Sequence, residues 1–192
     1  MKLIRLGKKS DDKYFVEEIA FLTYEILRDL GIQVLKNQKK EKVVNFLKEL
    51  YVKDNNRFSY HNTLVKELNG HAVGIAIIYH GKNAEEYDNH LVQYLQQEFQ
   101  LNDIELSKET EEDEFYLDSL AVSPLHRKQG IGSELLKAFE NIGEEEGHQK
   151  LALNVDKDNE TAYRLYKKNG FEFQSTFDLY GHPYLHMVKN LK

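Results

Sequence analysis

The segment Arg127-Lys128-Gln129-Gly130-Ile131-Gly132-Ser133 carries the residue types that hold a phosphate. Arg127 and Lys128 bring positive charge, and Gly130 and Gly132 lack the Cβ atoms that would keep an anion off the backbone. Apolar residues at Ile131, Leu135, Leu136 and Phe139 predict a helix over Gly130 to Glu146, which puts both glycines at its start. The first amides of a helix have no intrahelical acceptor and sit at the positive end of its dipole, so they form an anion site. A glycine pair near a helix start is weak evidence alone, because glycine also fills caps and turns. Here a strand-like run, Phe115 to Val122, and the turn at Pro124 lead into the pair, and that combination favours phosphate. The spacing excludes two rivals. No Gly-Lys-Ser/Thr follows four residues after a first glycine, and the three-glycine dinucleotide pattern is absent.

Several elements must position this loop. Asp11 to Leu30 and Lys39 to Val52 have helical apolar spacing and form an N-terminal helical pair interrupted at Gly31, after a short strand at Leu3 to Leu6. Arg57 to Leu68 and His71 to His80 read as two antiparallel strands around the hairpin dipeptide Asn69-Gly70. Within Gly81 to Asp113, Leu91, Tyr94, Leu95 and Phe99 mark an inserted helix, and the acidic run Glu109 to Glu114 reads as a solvated loop. The second half continues with a strand at Lys150 to Val155, a helix at Asp158 to Lys168 capped by Asn169-Gly170, and strands at Phe171 to Leu179 and Tyr184 to Val188. The chain is thus α/β of the α+β kind, with a mixed, mostly antiparallel sheet flanked by helices. With no linker and no internal repeat, 1–192 reads as one domain: strand and helices over 1–56, an insertion over 81–113 and a core over 114–190.

Composition excludes other classes. Zero cysteines rule out disulfides, thiolate metal sites and a protein thioester intermediate, so any acyl transfer is direct. A net charge of −6 argues against nucleic acid and mildly favours a cationic substrate. No apolar run approaches the roughly 20 residues of a bilayer span, and the N-terminus carries no export signal, so the expected location is the cytoplasm. Eight histidines are scattered without metal-ligand spacing, and surface or turn positions account for them; no metal is expected.

Arg127, Gly130 and Gly132 fit the signature Arg/Gln-x-x-Gly-x-Gly/Ala, after Leu120-Ala121-Val122-x-Pro124 and before Asn159-x-x-Ala162-x-x-Leu165-Tyr166-x-x-x-Gly170-Phe171. These three linked motifs resemble the GCN5-related N-acetyltransferase superfamily over about residues 114 to 190. The resemblance implies acetyl-CoA as acyl donor and an amine acceptor. It implies that the backbone of Leu120, Ala121 and Val122 holds the pantetheine arm, that amides from Lys128 to Ser133, Gln129 and Ile131 included, cradle the pyrophosphate, and that an N–H near Val122 stabilises the oxyanion. Asn159 and Tyr163 fall where relatives contact the coenzyme arm, although an Asn opening a helix is equally an N-cap. Tyr166 falls where relatives use a phenol against the departing sulfur; the competing reading is a core aromatic.

Some relatives carry a glutamate where this chain has Asn154, which cannot act as a base but would lie at the acyl end. Alternation puts Glu114, Tyr116 and Asp118 on one strand face, making Asp118 the candidate base with Glu114 in reserve; a structural carboxylate fits either equally. Tyr180 to Tyr184 forms a loop suited to lining the amine pocket. A non-catalytic acyl-CoA sensor and a different acyl donor are the alternatives, and the C-terminal edge strands or the inserted helix would suit a homodimer.

Overall fold

The computed structural model describes residues 2–29, 38–102, 104–179 and 181–191. Leu30, Gly31 and Tyr180, singled out above, lie outside them. Along the chain run β1 (Lys2–Leu6), α1 (Lys13–Asp29), α2 (Lys40–Tyr51), β2 (Thr63–Leu68), β3 (His71–His80), α3 (Ala84–Phe99), β4 (Phe115–Val122), α4 (Ile131–Glu145), β5 (Lys150–Asp156), α5 (Glu160–Lys168), β6 (Glu172–Leu179) and β7 (His182–Asn190). Among the described residues the seven strands form one sheet in the order β1-β2-β3-β4-β5-β7-β6, antiparallel except for β4 beside β5. No described helix is long and apolar enough to cross a membrane.

Local chemistry sets many of the boundaries. The Asp12 carboxylate accepts from the amides of Tyr14 and Phe15 at 2.9 and 3.1 Å and caps α1. Asn69 and Gly70 take φ of 55° and 85°, the paired positive angles of a tight hairpin between β2 and β3. Gly170, at φ 87°, closes α5, and the Phe171 N–H reaches back to the Tyr166 carbonyl at 3.1 Å.

Opposite faces of the sheet carry different layers. Phe15, Val16, Ile19 and Leu22 of α1 pack with Val65, Ala72 and Ile75. Beside them Val43, Phe46, Leu47 and Leu50 of α2 and Leu91, Leu95 and Phe99 of α3 join Ile77, Tyr79 and Tyr116. On the other face Ile131, Leu135, Leu136 and Phe139 of α4 meet Ala76, Ile78, Leu117, Leu151 and Leu153. The period-2 alternation of buried residues on β3 through β5 therefore serves two cores, one on each side.

Two expectations fail here for identifiable reasons. Residues 57–62 are not strand, because Asn56 draws the backbone into a compact loop. Its Nδ2 donates to the carbonyls of Leu50 and Lys53, its Oδ1 accepts from the Phe58 N–H, and Asn62 Nδ2 donates to its carbonyl. The acidic run is not simply solvated either: Thr110 and Glu114 are buried, because the run folds down onto the sheet. A third boundary moves: β7 begins at His182, so His182 and Pro183, read as loop, join the strand expected from Tyr184 to Val188.

Gly81 lets that segment close. A Cβ there would stand 1.9 Å from the Glu111 carbonyl oxygen, which is backbone and cannot swing away. Gly81→Ala is expected to lower unfolding free energy by about 1–3 kcal/mol, read by urea denaturation, with faster hydrogen exchange concentrated in residues 104–114.

Candidate active site

Pairing between β4 and β5 starts with Phe115 opposite Leu151 and ends with Leu117 opposite Leu153. Beyond that point β4 continues against β3 as far as Val122 opposite Gly74, while Asn154 to Asp156 of β5 continue against β7. The two parallel strands therefore part, and one edge of β4 from Asp118 to Val122 is left without a strand partner among the described residues. Asp118 marks the opening: Ile77 pairs with Ser119 and Ile78 with Leu117, so Asp118 is the extra residue of a β-bulge.

The open edge leads into a cleft of about 620 Å³. Of the residues assigned above to the cofactor, Leu120, Ala121, Val122, Arg127, Lys128, Gly130, Ile131, Gly132, Ser133 and Asn159 line it. Gln129, Asn154 and Tyr163 do not appear in its lining. At the cleft's end Gly130 is the N-cap of α4 with φ 84°, and Lys128 also takes a positive φ of 60°. The first intrahelical bond is from the Glu134 N–H to the Gly130 carbonyl, 3.0 Å, so the amides of Ile131, Gly132 and Ser133 precede the ladder. A Cβ on Gly130 would meet no protein atom within 4 Å, and one on Gly132 would come no nearer than 3.4 Å to Leu165, so the space these glycines leave belongs to the cleft. Arg127 Nε donates to the Val122 carbonyl at 3.2 Å, bracing the loop against the strand. His126 Nδ1, also at the cleft, is buried with no hydrogen-bond partner. Unpaired amides, two cations and an orphaned ring nitrogen fit a phosphate-bearing ligand.

Asn159 accepts from the Ala162 N–H at 3.1 Å, so its side chain is the N-cap of α5. Tyr166 is in the core, 8% exposed, with its ring edge-on to Phe171 at 6.2 Å. Burial alone pushes its phenol up to about 12.

On the α1–α3 face, beside the opening, a buried polar network crosses the sheet. Arg57 Nη1 donates to Asp118 Oδ2 at 2.8 Å and to Glu109 Oε1 at 3.3 Å, and Nη2 pairs with Asp88. Asp118 also accepts from the Tyr79 hydroxyl at 2.9 Å and the Ser119 hydroxyl at 2.7 Å. Burial works against the Arg57 charge, but Tyr79, Asp118, Glu109 and Asp88 outweigh it and hold the guanidinium protonated. Burial raises the Asp88 carboxyl, with Arg57 offsetting part of the effect. Farther along, Tyr116 reaches Glu109, and Asn154 contacts Tyr116 and His186. His186 in turn meets Glu114 at 2.9 Å. Burial opposes ionisation of Glu114, but the His186 contact, the Glu111 N–H and the Thr110 hydroxyl bring its carboxyl below the usual range.

Glu114, Tyr116 and Asp118 do share this face, as the alternation predicted. Arg57, Asp88, Glu109, Tyr79 and His186 join them without having been singled out as site residues. One signal was available for His186: it is the polar residue in the otherwise apolar stretch Tyr184-Leu185-His186-Met187-Val188. The network borders a second cavity of about 390 Å³, lined by Arg57, Tyr79, Asp88, Glu109 and Lys108 among others.

The molecule is thus an α/β protein with a cleft on the open edge of a splayed strand, ending at a helix N-terminus, and a carboxylate-rich cavity on the neighbouring face. The acetyltransferase (GNAT) family model matches residues 32–171, and the chain belongs to that family and is an acetyltransferase. It is similar to a protein whose crystal structure is described as that of an acetyltransferase, with 34% identity, 99% of this chain and 100% of the other covered and a TM-score of 0.83. It also resembles an N-acetyltransferase from Staphylococcus aureus Mu50, with 29% identity, coverage of 97% and 99% and a TM-score of 0.81. A probable N-acetyltransferase HLS1-like protein of Arabidopsis thaliana is 34% identical over 89 residues, 45% of this chain. The chain covers only 22% of that relative's length.

Arg57→Met would leave three half-buried carboxylates clustered without the guanidinium they share. It is expected to cost about 3–5 kcal/mol of stability at neutral pH. Burial already raises the Asp88 carboxyl and Arg57 offsets part of that, so without Arg57 the folded variant binds a proton at Asp88 more tightly than the unfolded chain does. Its deficit against wild type should be largest near neutrality and narrow as pH falls toward 3.8, the ordinary Asp value. Urea unfolding across that range reads the difference.

Proposed function

We propose that the chain moves an acetyl group directly from acetyl-CoA to a primary amine where β4 and β5 part. The cleft along the open β4 edge, ending at the unpaired amides of Ile131, Gly132 and Ser133, is the observation that carries this reading. The amides from Lys128 to Ser133, with Arg127 and Lys128, hold the pyrophosphate, and the backbone of Leu120 to Val122 aligns the pantetheine arm as an added strand would. The thioester then lies near Asp118, between the cleft and the polar network.

The amine nitrogen attacks the thioester carbon, and the carbonyl becomes an oxyanion that a backbone N–H near Val122 stabilises. Collapse of the tetrahedral intermediate breaks the C–S bond, and the nitrogen sheds its remaining extra proton to solvent as the amide forms, so the products are an amide and a thiolate. The ammonium must first lose a proton, and Asp118 is the nearest carboxylate to receive it, with Glu114 deeper in the same network. Tyr166 serves the departing sulfur. A phenol held at about 12 faces a thiol of ordinary pKa about 8.5, so donating a hydrogen bond to the thiolate is favoured over complete transfer of the proton. Asp88, Glu109 and Asp118 against the single Arg57 support a cationic acceptor, either a small amine or a protein amino group.

Acetyl-CoA-dependent thiol release across a panel of amines tests the reading. Amine-dependent release is expected, and its absence with every amine would contradict the reading. Asp118→Asn should lower kcat/KM by about 10²–10⁴-fold and Tyr166→Phe should lower kcat with acetyl-CoA affinity unchanged. Gly132→Leu should fold, since a Cβ there makes only ordinary contacts with the Leu165 and Leu120 side chains at 3.4 and 3.7 Å, and should weaken acetyl-CoA binding by about tenfold or more, near 1.4 kcal/mol, in calorimetry.

A further inference from the structure

Both ring nitrogens of His186 face oxygen. Nδ1 lies 2.8 Å from Asn154 Oδ1 and Nε2 lies 2.9 Å from Glu114 Oε1, with the residue 1% exposed. Which end of the Asn154 amide is oxygen follows from its other neighbours. Asn154 Nδ2 stands 2.6 Å from the Glu109 backbone carbonyl, which can only accept, and 3.0 Å from the Tyr116 hydroxyl. A flipped amide would set two oxygens against each other at the Glu109 carbonyl, so the oxygen must face His186 and Nδ1 must carry a hydrogen. On the far side Glu114 Oε2 already accepts from the Thr110 hydroxyl and the Glu111 N–H, both at 2.8 Å. That favours a carboxylate, and the proton in the remaining contact then sits on Nε2. Tyr116, accepting from Asn154, keeps its own hydrogen for Glu109 Oε2 at 3.3 Å. The directions follow in series: His186 donates to Glu114 and to Asn154, Asn154 to Tyr116 and the Glu109 backbone, and Tyr116 to the Glu109 side chain.

We infer that His186 is a positioning residue for the acceptor side of the site. With a hydrogen on each ring nitrogen, it holds Asn154 in the orientation that clamps Glu109, and through Glu109 the Arg57–Asp118 pair. This rests on the reading that the amine arrives at Asp118. Few side chains can do it: an amide donates at one end and accepts at the other, whereas a doubly protonated imidazole donates rigidly from two sides. Asn154 is then a strut between β5 and the 104–114 segment, which agrees with its place outside the cofactor cleft.

Two measurements test the inference on the whole chain. Long-range proton–nitrogen NMR on the folded chain should show a hydrogen on each His186 ring nitrogen. The signal is assigned by its loss in His186→Gln or, should that variant not fold, by proximity to Phe177, whose ring centroid is 5.0 Å away. An unprotonated ring-nitrogen signal overturns the inference. In kinetics, His186→Gln and Asn154→Leu should each raise KM for the amine about tenfold and leave the acetyl-CoA dissociation constant within about twofold. The double variant should show no further rise, because one residue acts through the other. Additive effects, or acetyl-CoA affinity falling together with the amine KM, would contradict the role. If the wild-type chain turns over no amine, the acceptor reading fails and the role of His186 fails with it. The NMR signature then still reports whether the bond directions hold, which separates the two failures.

Discussion

The early parting of β4 from β5 is the constraint on which the site depends. Each strand has a committed partner on its outer side, β3 for β4 and β7 for β5, so the two can diverge after Leu117 and Leu153 without either leaving the sheet. A strand edge inside a protein must find acceptors and donors somewhere. Here that edge borders the cleft, and α4 begins where the edge ends, which adds its first amides and the positive end of its dipole there. Gly74 keeps the arrangement tight, since a Cβ there would meet Ile131 at 2.9 Å and push the start of α4 off β3.

The polar network is the counterpart on the other face. One guanidinium among three carboxylates, 7% exposed at its side chain, is a poor way to gain stability, because desolvation consumes most of the Coulomb attraction. Its value lies in placement. Arg57 comes from the loop before β2, Asp88 from α3, Glu109 from the segment after α3 and Asp118 from the bulge, so a single cluster ties the insertion and the N-terminal layer to the opening between the strands. The closing of residues 104–114 over the sheet thereby becomes part of the site.

The backbone that shapes the cleft was largely legible in the sequence, and the polar network was not. Gly130, Gly132, Pro124, Asn69-Gly70 and Asn169-Gly170 act through their own backbone angles or through neighbours a few residues away, so local patterns reveal them. The helices showed themselves through apolar spacing that tertiary packing then used. By contrast, Arg57 and Asp118 are 61 residues apart and Glu114 and His186 are 72 apart. Each looks like an ordinary surface charge or stray histidine until the sheet brings it to its partner. The same reason explains the failed expectations. Residues 57–62 have strand-like composition, but Asn56 side-chain bonds redirect them, and the acidic run is polar in sequence yet finds buried donors in Thr110, Glu111 and His186.

The most direct test of the central claim is amide hydrogen exchange of the whole chain with and without acetyl-CoA. The account predicts slowed exchange concentrated at residues 120–122 and 128–133, on the open edge of β4 and the first turn of α4. Protection confined to other elements, or none at saturating acetyl-CoA, would contradict the assignment of the acyl donor to the opening between β4 and β5.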